Sequence, residues 1–273
     1  MNLYAWLDLL RPVNALMTGL GVAVGYFLAS GSFPIKNELG LAMLAAMLVA
    51  GGGMAINDYF DRFIDAKIKT WRPIPSGQIK AWHALLVSLI LFGGGIYTAS
   101  LINETCFLIA GFASFLLILY SAYLAKLPLL GNIAIALNTG LTFIFGEAAA
   151  TGQIFSLNLT ILFALAFLST FAREIYKDIE DVPGDKGIRK TMPMIIGPSA
   201  SSLIASIAII ISVIASPVPY LMGTLKFPYL LGLSIADLLF IYIAFASVIK
   251  GKIYSTELKI AQLIGLISFL LGL

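Results

Sequence analysis

Along the chain, apolar residues gather into nine runs, roughly 13–31, 39–57, 82–101, 106–124, 131–150, 158–177, 198–217, 229–249 and 258–273, separated by short polar stretches. Each run is close to the ~20 residues with which an α-helix crosses the ~30 Å hydrocarbon core of a bilayer. They are too long for the roughly ten-residue strands of a membrane barrel. The pattern predicts an all-α, polytopic membrane protein with about nine transmembrane helices in a bundle. No polar linker divides the chain, so a single domain, residues 1–273, is expected. Ahead of the first run, Leu3, Trp6, Leu7 and Leu10 fall on one face of a short interfacial helix. This stretch carries Asp8 and Arg11 without a basic leader and does not read as a cleaved signal peptide.

Composition agrees with the pattern. Of 273 residues, 60% are hydrophobic and 11% charged, and the mean hydropathy is +0.97; a soluble domain carries about 25% charged residues. The formal charge of +3 is small and no basic domain stands out, so a nucleic-acid partner is not expected. Cys106 is the one cysteine, which excludes an internal disulfide and a cysteine metal cluster. The distribution of charge is more informative than its sum. With the N-terminus cytoplasmic, Arg11, the basic residues of 62–80 and of 173–190, Lys126, Lys250, Lys252 and Lys259 fall on one side, leaving only Lys36 and Lys226 of the 17 Lys and Arg on the other. Such asymmetry puts both charged loops in the cytoplasm and the C-terminus outside.

Two polar islands interrupt the apolar pattern. The first runs from Gly51 to Gly77, GGGMAINDYFDRFIDAKIKTWRPIPSG. If the entering helix continues through the acids, Asn57, Asp61 and Asp65 stand at i, i+4 and i+8 on one face, stepping by roughly 6 Å, with Asp58 beside the row. An ionised carboxylate at the centre of a membrane costs on the order of 2.5–3.5 kcal/mol, so the set implies a watery cavity or bound cations. Oxygen ligands without His or Cys suit a hard ion such as Mg²⁺. The second island, REIYKDIEDVPGDKGIRKTMP at 173–193, spaces Asp178, Asp181 and Asp185 at i, i+3 and i+7 if the helix persists to Val182, where Pro183 and Gly184 are expected to bend the chain. The islands follow runs two and six and open on the same side. A weak parallel repeat is suggested, with Asn14 loosely matching Asn138.

Six aspartates facing one another across a bundle repel strongly unless cations intervene, and two divalent ions answer this. The interleaved Lys67, Lys69, Arg72, Lys186, Arg189 and Lys190 are residue types that hold phosphate oxygens. A diphosphate bridged by Mg²⁺ fits between acids and bases, and apolar helices around a central cavity open to the cytoplasmic side suit a long isoprenoid tail. Other features read as structural. Gly51–Gly53 and Gly93–Gly95 suggest close helix packing, and His83 an interfacial residue. Glu147 and Asp237, intramembrane acids and so functional by default, are left outside the site. Asn14 either bonds a neighbouring helix or reaches substrate; Lys126 either anchors the interface or meets an acceptor phosphate.

NDxxDxxxD from Asn57 to Asp65 and DxxxD from Asp181 to Asp185, with RPVNALM at 11–17, RPIPSGQI at 72–79 and REIYKDIEDVPGDK at 173–186, resemble the UbiA-like superfamily of intramembrane prenyltransferases, nearest its archaeal lipid-forming branch. Trp71 departs from many relatives, which carry a polar residue there. The resemblance implies a geranylgeranyl diphosphate donor and a geranylgeranylglyceryl phosphate acceptor, joined by an ether bond. It implies Mg²⁺ held by Asn57, Asp61, Asp65, Asp181 and Asp185, with Asp178 a ligand or a partner of one. Asp61, Asp65, Asp181 and Asp185 are then the catalytic acids. Lys67, Arg72 and Lys186 are candidates for the diphosphate, Asn14, Lys126 and Lys190 for substrate, and Tyr120 and Tyr123 for aromatic faces towards an allylic cation. Membrane lipids are expected partners, and no protein partner is. Alternatives are an aromatic, quinone-precursor or porphyrin acceptor, a CDP-alcohol phosphotransferase, whose Asp-Gly pattern is missing here, and a cation transporter, which places acids nearer the midplane.

Overall fold

The computed structural model describes residues 3–31, 36–185, 187 and 189–273. Its elements are α1 (Leu3–Leu10), α2 (Pro12–Ser30), α3 (Asn37–Ile68), α4 (Ala81–Ser100), α5 (Glu104–Ala122), a 3₁₀ turn at Leu124–Lys126, α6 (Leu130–Thr151), α7 (Leu157–Asp185), α8 (Met192–Ile196), α9 (Pro198–Ala215), α10 (Val218–Leu221), α11 (Phe227–Lys250) and α12 (Ser255–Gly272). Among the described residues nine helical stretches are long and apolar enough to cross a membrane, the seventh taking in α9 and α10. They coincide with the nine apolar runs. Outward stripes such as Leu203, Ile207, Ile211 and Ile214 on α9 and Leu231, Ile235 and Leu238 on α11 stay exposed. Such stripes are tolerable where the solvent is lipid.

Two helices overrun their apolar runs. α3 carries the acids as far as Ile68, and its last turn closes with the Lys69 N–H donating to the Asp65 carbonyl at 2.7 Å. α7 runs through Pro183 to Asp185, past the bend expected at Val182. Pro183 forfeits only the bond its missing N–H would give to Ile179, and so near a helix end one lost bond does not break the helix.

The chain forms two compact units, Met1–Ala125 with Phe145–Ile154, and Lys126–Ile144 with Phe155–Leu273. In the first, α3 packs against α2, α4 and α5. The close approach of α4 to α3 is set by glycine: a Cβ on Gly95 would lie 2.7 Å from Val49 Cγ2 and 3.0 Å from the Ala45 carbonyl oxygen. Ser88 Oγ fastens the same pair by donating to the Gly52 carbonyl at 2.9 Å. α1 lies on this unit through Ala5 and Leu9, with Trp6 and Leu10 alongside, against Ala55, Ile79 and Ala84. Of the apolar face expected to be interfacial, Leu3 and Leu7 are exposed while Trp6 and Leu10 pack on the unit.

In the second unit α7 packs on α9 and α12, and α11 on α9 and α12. Tyr176 Oη shares a 2.8 Å hydrogen bond with Ser206 Oγ, and Ser206 Oγ lies 3.1 Å from the Ala244 carbonyl that accepts from it, linking α7, α9 and α11. Asp237 accepts from Ser216 Oγ at 2.7 Å, while Tyr229 Oη donates to the Ser216 carbonyl at 2.6 Å. That intramembrane acid therefore braces the end of α9.

Gly95→Ala is expected to destabilise the protein by about 1–3 kcal/mol through overpacking. Gly93→Ala, whose Cβ meets nothing within 4 Å, is expected to be neutral or stabilising by up to about 1 kcal/mol. Thermal melting in detergent measures both.

Candidate active site

In the first unit the acid motif is one continuous helical face near the end of α3. Asn57 Nδ2 donates to Asp61 Oδ2 at 3.1 Å, one turn on. Asp58 and Asp65 are each only 3% exposed, whereas Asp61 is half-buried. Buried carboxylates require partners, and the RPIPSG segment supplies one. Its backbone winds into successive turns, the Ser76 N–H and Oγ both bonding the Arg72 carbonyl and the Ile79 N–H reaching the Pro73 carbonyl. Arg72 Nη1 thereby donates to Asp65 Oδ2 at 2.8 Å and Asp58 Oδ1 at 3.1 Å. Burial alone would pull the Arg72 pKa down; the charges of Asp58 and Asp65 outweigh it and raise it above its ordinary value.

A second cation reaches Asp58 from the corner between α1 and α2. Arg11 Nη2 donates to Asp58 Oδ1. Arg11 holds a left-handed backbone, φ 45°, immediately before Pro12, a conformation unfavourable for a residue with a Cβ and disfavoured further ahead of proline.

In the second unit the acids lie at the end of α7. Asn132 Nδ2, from the first turn of α6, donates to Asp178 Oδ2 at 2.8 Å. Asp185 is buried, with Arg189 Nε 3.9 Å from its Oδ1, and Asp181 is half-buried. A turn before Asp178, buried Glu174 sits between Arg173 Nη2 at 2.7 Å and Lys177 Nζ at 3.0 Å.

The two sets share one spacing. Asp58, Asp61 and Asp65 recur as Asp178, Asp181 and Asp185, each 120 residues later. In both, the first acid is held by a residue from the start of the preceding helix, 47 residues earlier for Arg11 and 46 for Asn132. In both, the middle acid is half-buried and the third is buried near an arginine that follows the helix. This register sets Asn14 against Ala134, so the loose match of Asn14 with Asn138 does not align with it.

The remaining candidates are distributed as follows. Asn14 is half-buried in the first turn of α2, and Lys67 is exposed in the last turn of α3. Tyr120 is half-buried on α5, while Tyr123, just beyond it, is 68% exposed. Lys126 and Lys190, both exposed, are brought together by a 3.4 Å bond from the Lys190 N–H to the Lys126 carbonyl. Lys186 lies outside the described residues. Sequence reasoning passed over Arg11 and Asn132 as site residues and left Asp58 without a role; the shared i, i+3, i+7 spacing of the two aspartate sets was the available signal.

Whether these residues fit a cation can be judged from Asn57. Its Oδ1 is buried with no hydrogen-bond partner among the described residues, an acceptor beside the Asp61 carboxylate it bonds through Nδ2. Among the described residues no group of three His, Cys, Asp or Glu forms a cation cage by itself. That donor set suits Mg²⁺, which takes one or two carboxylates and completes its octahedron with water and phosphate oxygens.

The profile of the UbiA prenyltransferase family matches residues 18–259. The digeranylgeranylglyceryl phosphate synthase of Methanothrix thermoacetophila is 40% identical over 269 residues, 97% of this chain and 98% of that protein. A solved structure of a digeranylgeranylglyceryl phosphate synthase is 33% identical with a TM-score of 0.78, covering 99% of this chain and 98% of the other. A UbiA homologue from Archaeoglobus fulgidus bound to GPP and Mg²⁺ shares the fold at 22% identity, with a TM-score of 0.74 and 98% of both chains covered.

Removing Arg72 leaves two buried carboxylates short of a partner. Arg72→Gln is expected to lower stability by about 3 kcal/mol, in the range for breaking a buried pair. Adding Asp58→Asn and Asp65→Asn is expected to return most of the loss, as read by melting in detergent with EDTA.

Proposed function

Because the chain belongs to the UbiA prenyltransferase family, we propose that this membrane protein transfers a geranylgeranyl group from geranylgeranyl diphosphate to the hydroxyl of geranylgeranylglyceryl phosphate, forming the second ether bond of an archaeal lipid. The observation that carries the reading is the end-to-end likeness to synthases named for that product. The oxygen-rich face of α3 beside Arg72 supports it independently.

Asn57, Asp61 and Asp65 in one unit, and Asp181 and Asp185 in the other, are the residues that would hold Mg²⁺. When bound, Mg²⁺ neutralises charge on the departing diphosphate. Lys67, Arg72, Lys186 and Lys190 offer cationic donors to the diphosphate oxygens, and Asn14 a polar contact to substrate. The allylic carbon–oxygen bond breaks with its electron pair leaving on the diphosphate. The glycerol hydroxyl oxygen then bonds the allylic carbon and gives its proton to diphosphate or an aspartate. Apolar helix surfaces keep out water, which would otherwise trap the allylic cation as an alcohol. Tyr120 and Tyr123 offer ring faces to that cation, and Lys126 is assigned to the acceptor's phosphate.

The family match runs through both compact units, which supports one transferase domain over 1–273. The charge asymmetry supports a cytoplasmic N-terminus and cytoplasmic acid motifs, with the C-terminus outside. Isoprenyl diphosphate, a phosphate-bearing lipid acceptor and membrane lipids are the partners; neither nucleic acid nor a protein partner is called for.

Purified protein with Mg²⁺ and radiolabelled geranylgeranyl diphosphate is expected to label geranylgeranylglyceryl phosphate and not 4-hydroxybenzoate, with EDTA abolishing transfer. Label on the aromatic acid alone would overturn the acceptor; label on neither would overturn prenyl transfer. Asp61→Ala and Asp181→Ala are each expected to lose about 100-fold or more of turnover while melting like the parent. Near-parental rates in both would remove these aspartates from the metal site.

A further inference from the structure

In each acid set the first member is the one held from the start of the preceding helix. Asp58 is enclosed, and its Oδ1 receives both Arg11 and Arg72; Asp178 receives Asn132. The holding residue comes in both units from the start of the helix before the motif, at nearly the same separation, although one is a cation and the other a neutral amide. Two chemically different side chains, one residue apart in the shared register, point to a shared geometric task. Meanwhile Asn57 Oδ1 lacks a partner among the described residues and Asp61 and Asp181 keep partial exposure.

We propose that Asp58 and Asp178 are positioning residues, clamped by Arg11 and Asn132 so that the remaining oxygen ligands on the same helix stay in register for a metal-bound diphosphate. The inference rests on the prenyl-transfer reading and goes beyond it by separating the aspartates by role. The path in the first unit is explicit. Arg11 takes part of the Asp58 carboxylate, and Arg72 divides its Nη1 between Asp58 and Asp65. Without Arg11, Asp58 draws Arg72 more strongly and Arg72's hold on Asp65 loosens. The left-handed backbone of Arg11 fits this account, since a residue is kept in such a conformation when its surroundings fix its side chain elsewhere. In the second unit Asn132 fixes Asp178 without cancelling its charge.

The test reads binding of Mg²⁺ with inorganic diphosphate to the full chain in nanodiscs by calorimetry, beside prenyl transfer and melting. Arg11→Ala is expected to raise the dissociation constant roughly ten-fold, a size typical of residues coupled in one network, with a smaller change in kcat. Arg11→Lys is expected to recover most of the loss, and Arg11→Ala in an Asp58→Asn background to add nothing. Asn132→Ala is expected to weaken binding in the same direction, and Asp178→Asn to cost less than Asp181→Asn. Additive effects of Arg11→Ala and Asp58→Asn, unchanged binding in both clamp variants, or an Asp178→Asn loss equal to that of Asp181→Asn would overturn the proposal. If Arg11→Ala does not fold, Arg11→Gln and Asn132→Ala decide: both binding like the parent defeats the clamp. Parent protein that transfers no prenyl group and binds no Mg²⁺–diphosphate defeats the functional reading itself, a separate result.

Discussion

A carboxylate enclosed near the end of a membrane helix must be paired, and Asp58 carries that constraint for the first unit. It is buried, so leaving it ionised and alone is prohibitively unfavourable. Two guanidinium groups meet the requirement, and both come from outside α3. The need to deliver them fixes the α1–α2 corner and the winding of RPIPSG. Arg72 in turn reaches Asp65, so local chain geometry and the arrangement of the acids are one problem with one solution.

The second unit meets the same requirement differently. Asn132 fixes Asp178 through one neutral hydrogen bond, and the cations of the helix gather a turn earlier, around Glu174. The aspartate spacing and the arginine beside the third acid are repeated, while the counter-charge on the first acid is not. A common backbone scaffold with divergent electrostatics allows the two acid sets to differ in how strongly they attract a cation, even though their helical spacing is the same.

Much of this was legible in the chain itself. Nine apolar runs became, among the described residues, nine helical stretches long and apolar enough to cross a membrane, because length and hydropathy are local properties, and the acid rows followed from helical periodicity alone. What was hidden was mostly non-local. Nothing in RPVNALM announces that Arg11 meets an aspartate 47 residues on, and Asn132 sits in an otherwise ordinary helix start. Pro183 misled for a different reason: proline ends helices on average, yet near a terminus it removes a single bond, and α7 runs past it. Asp237 stood outside the site on the sequence, and the Ser216 hydroxyl that bonds it, with Tyr229 on the Ser216 carbonyl, gives it a part in the packing.

The corner at Arg11 also constrains how the protein is made. Arg11 leaves the ribosome well before Asp58, and a left-handed residue ahead of a proline has little reason to hold its conformation by itself. The α1–α2 corner can therefore set only after α3 has arrived beside it. Until then the short first helix is free to lie on the membrane surface, and the N-terminal end of the protein is finished after the span that follows it.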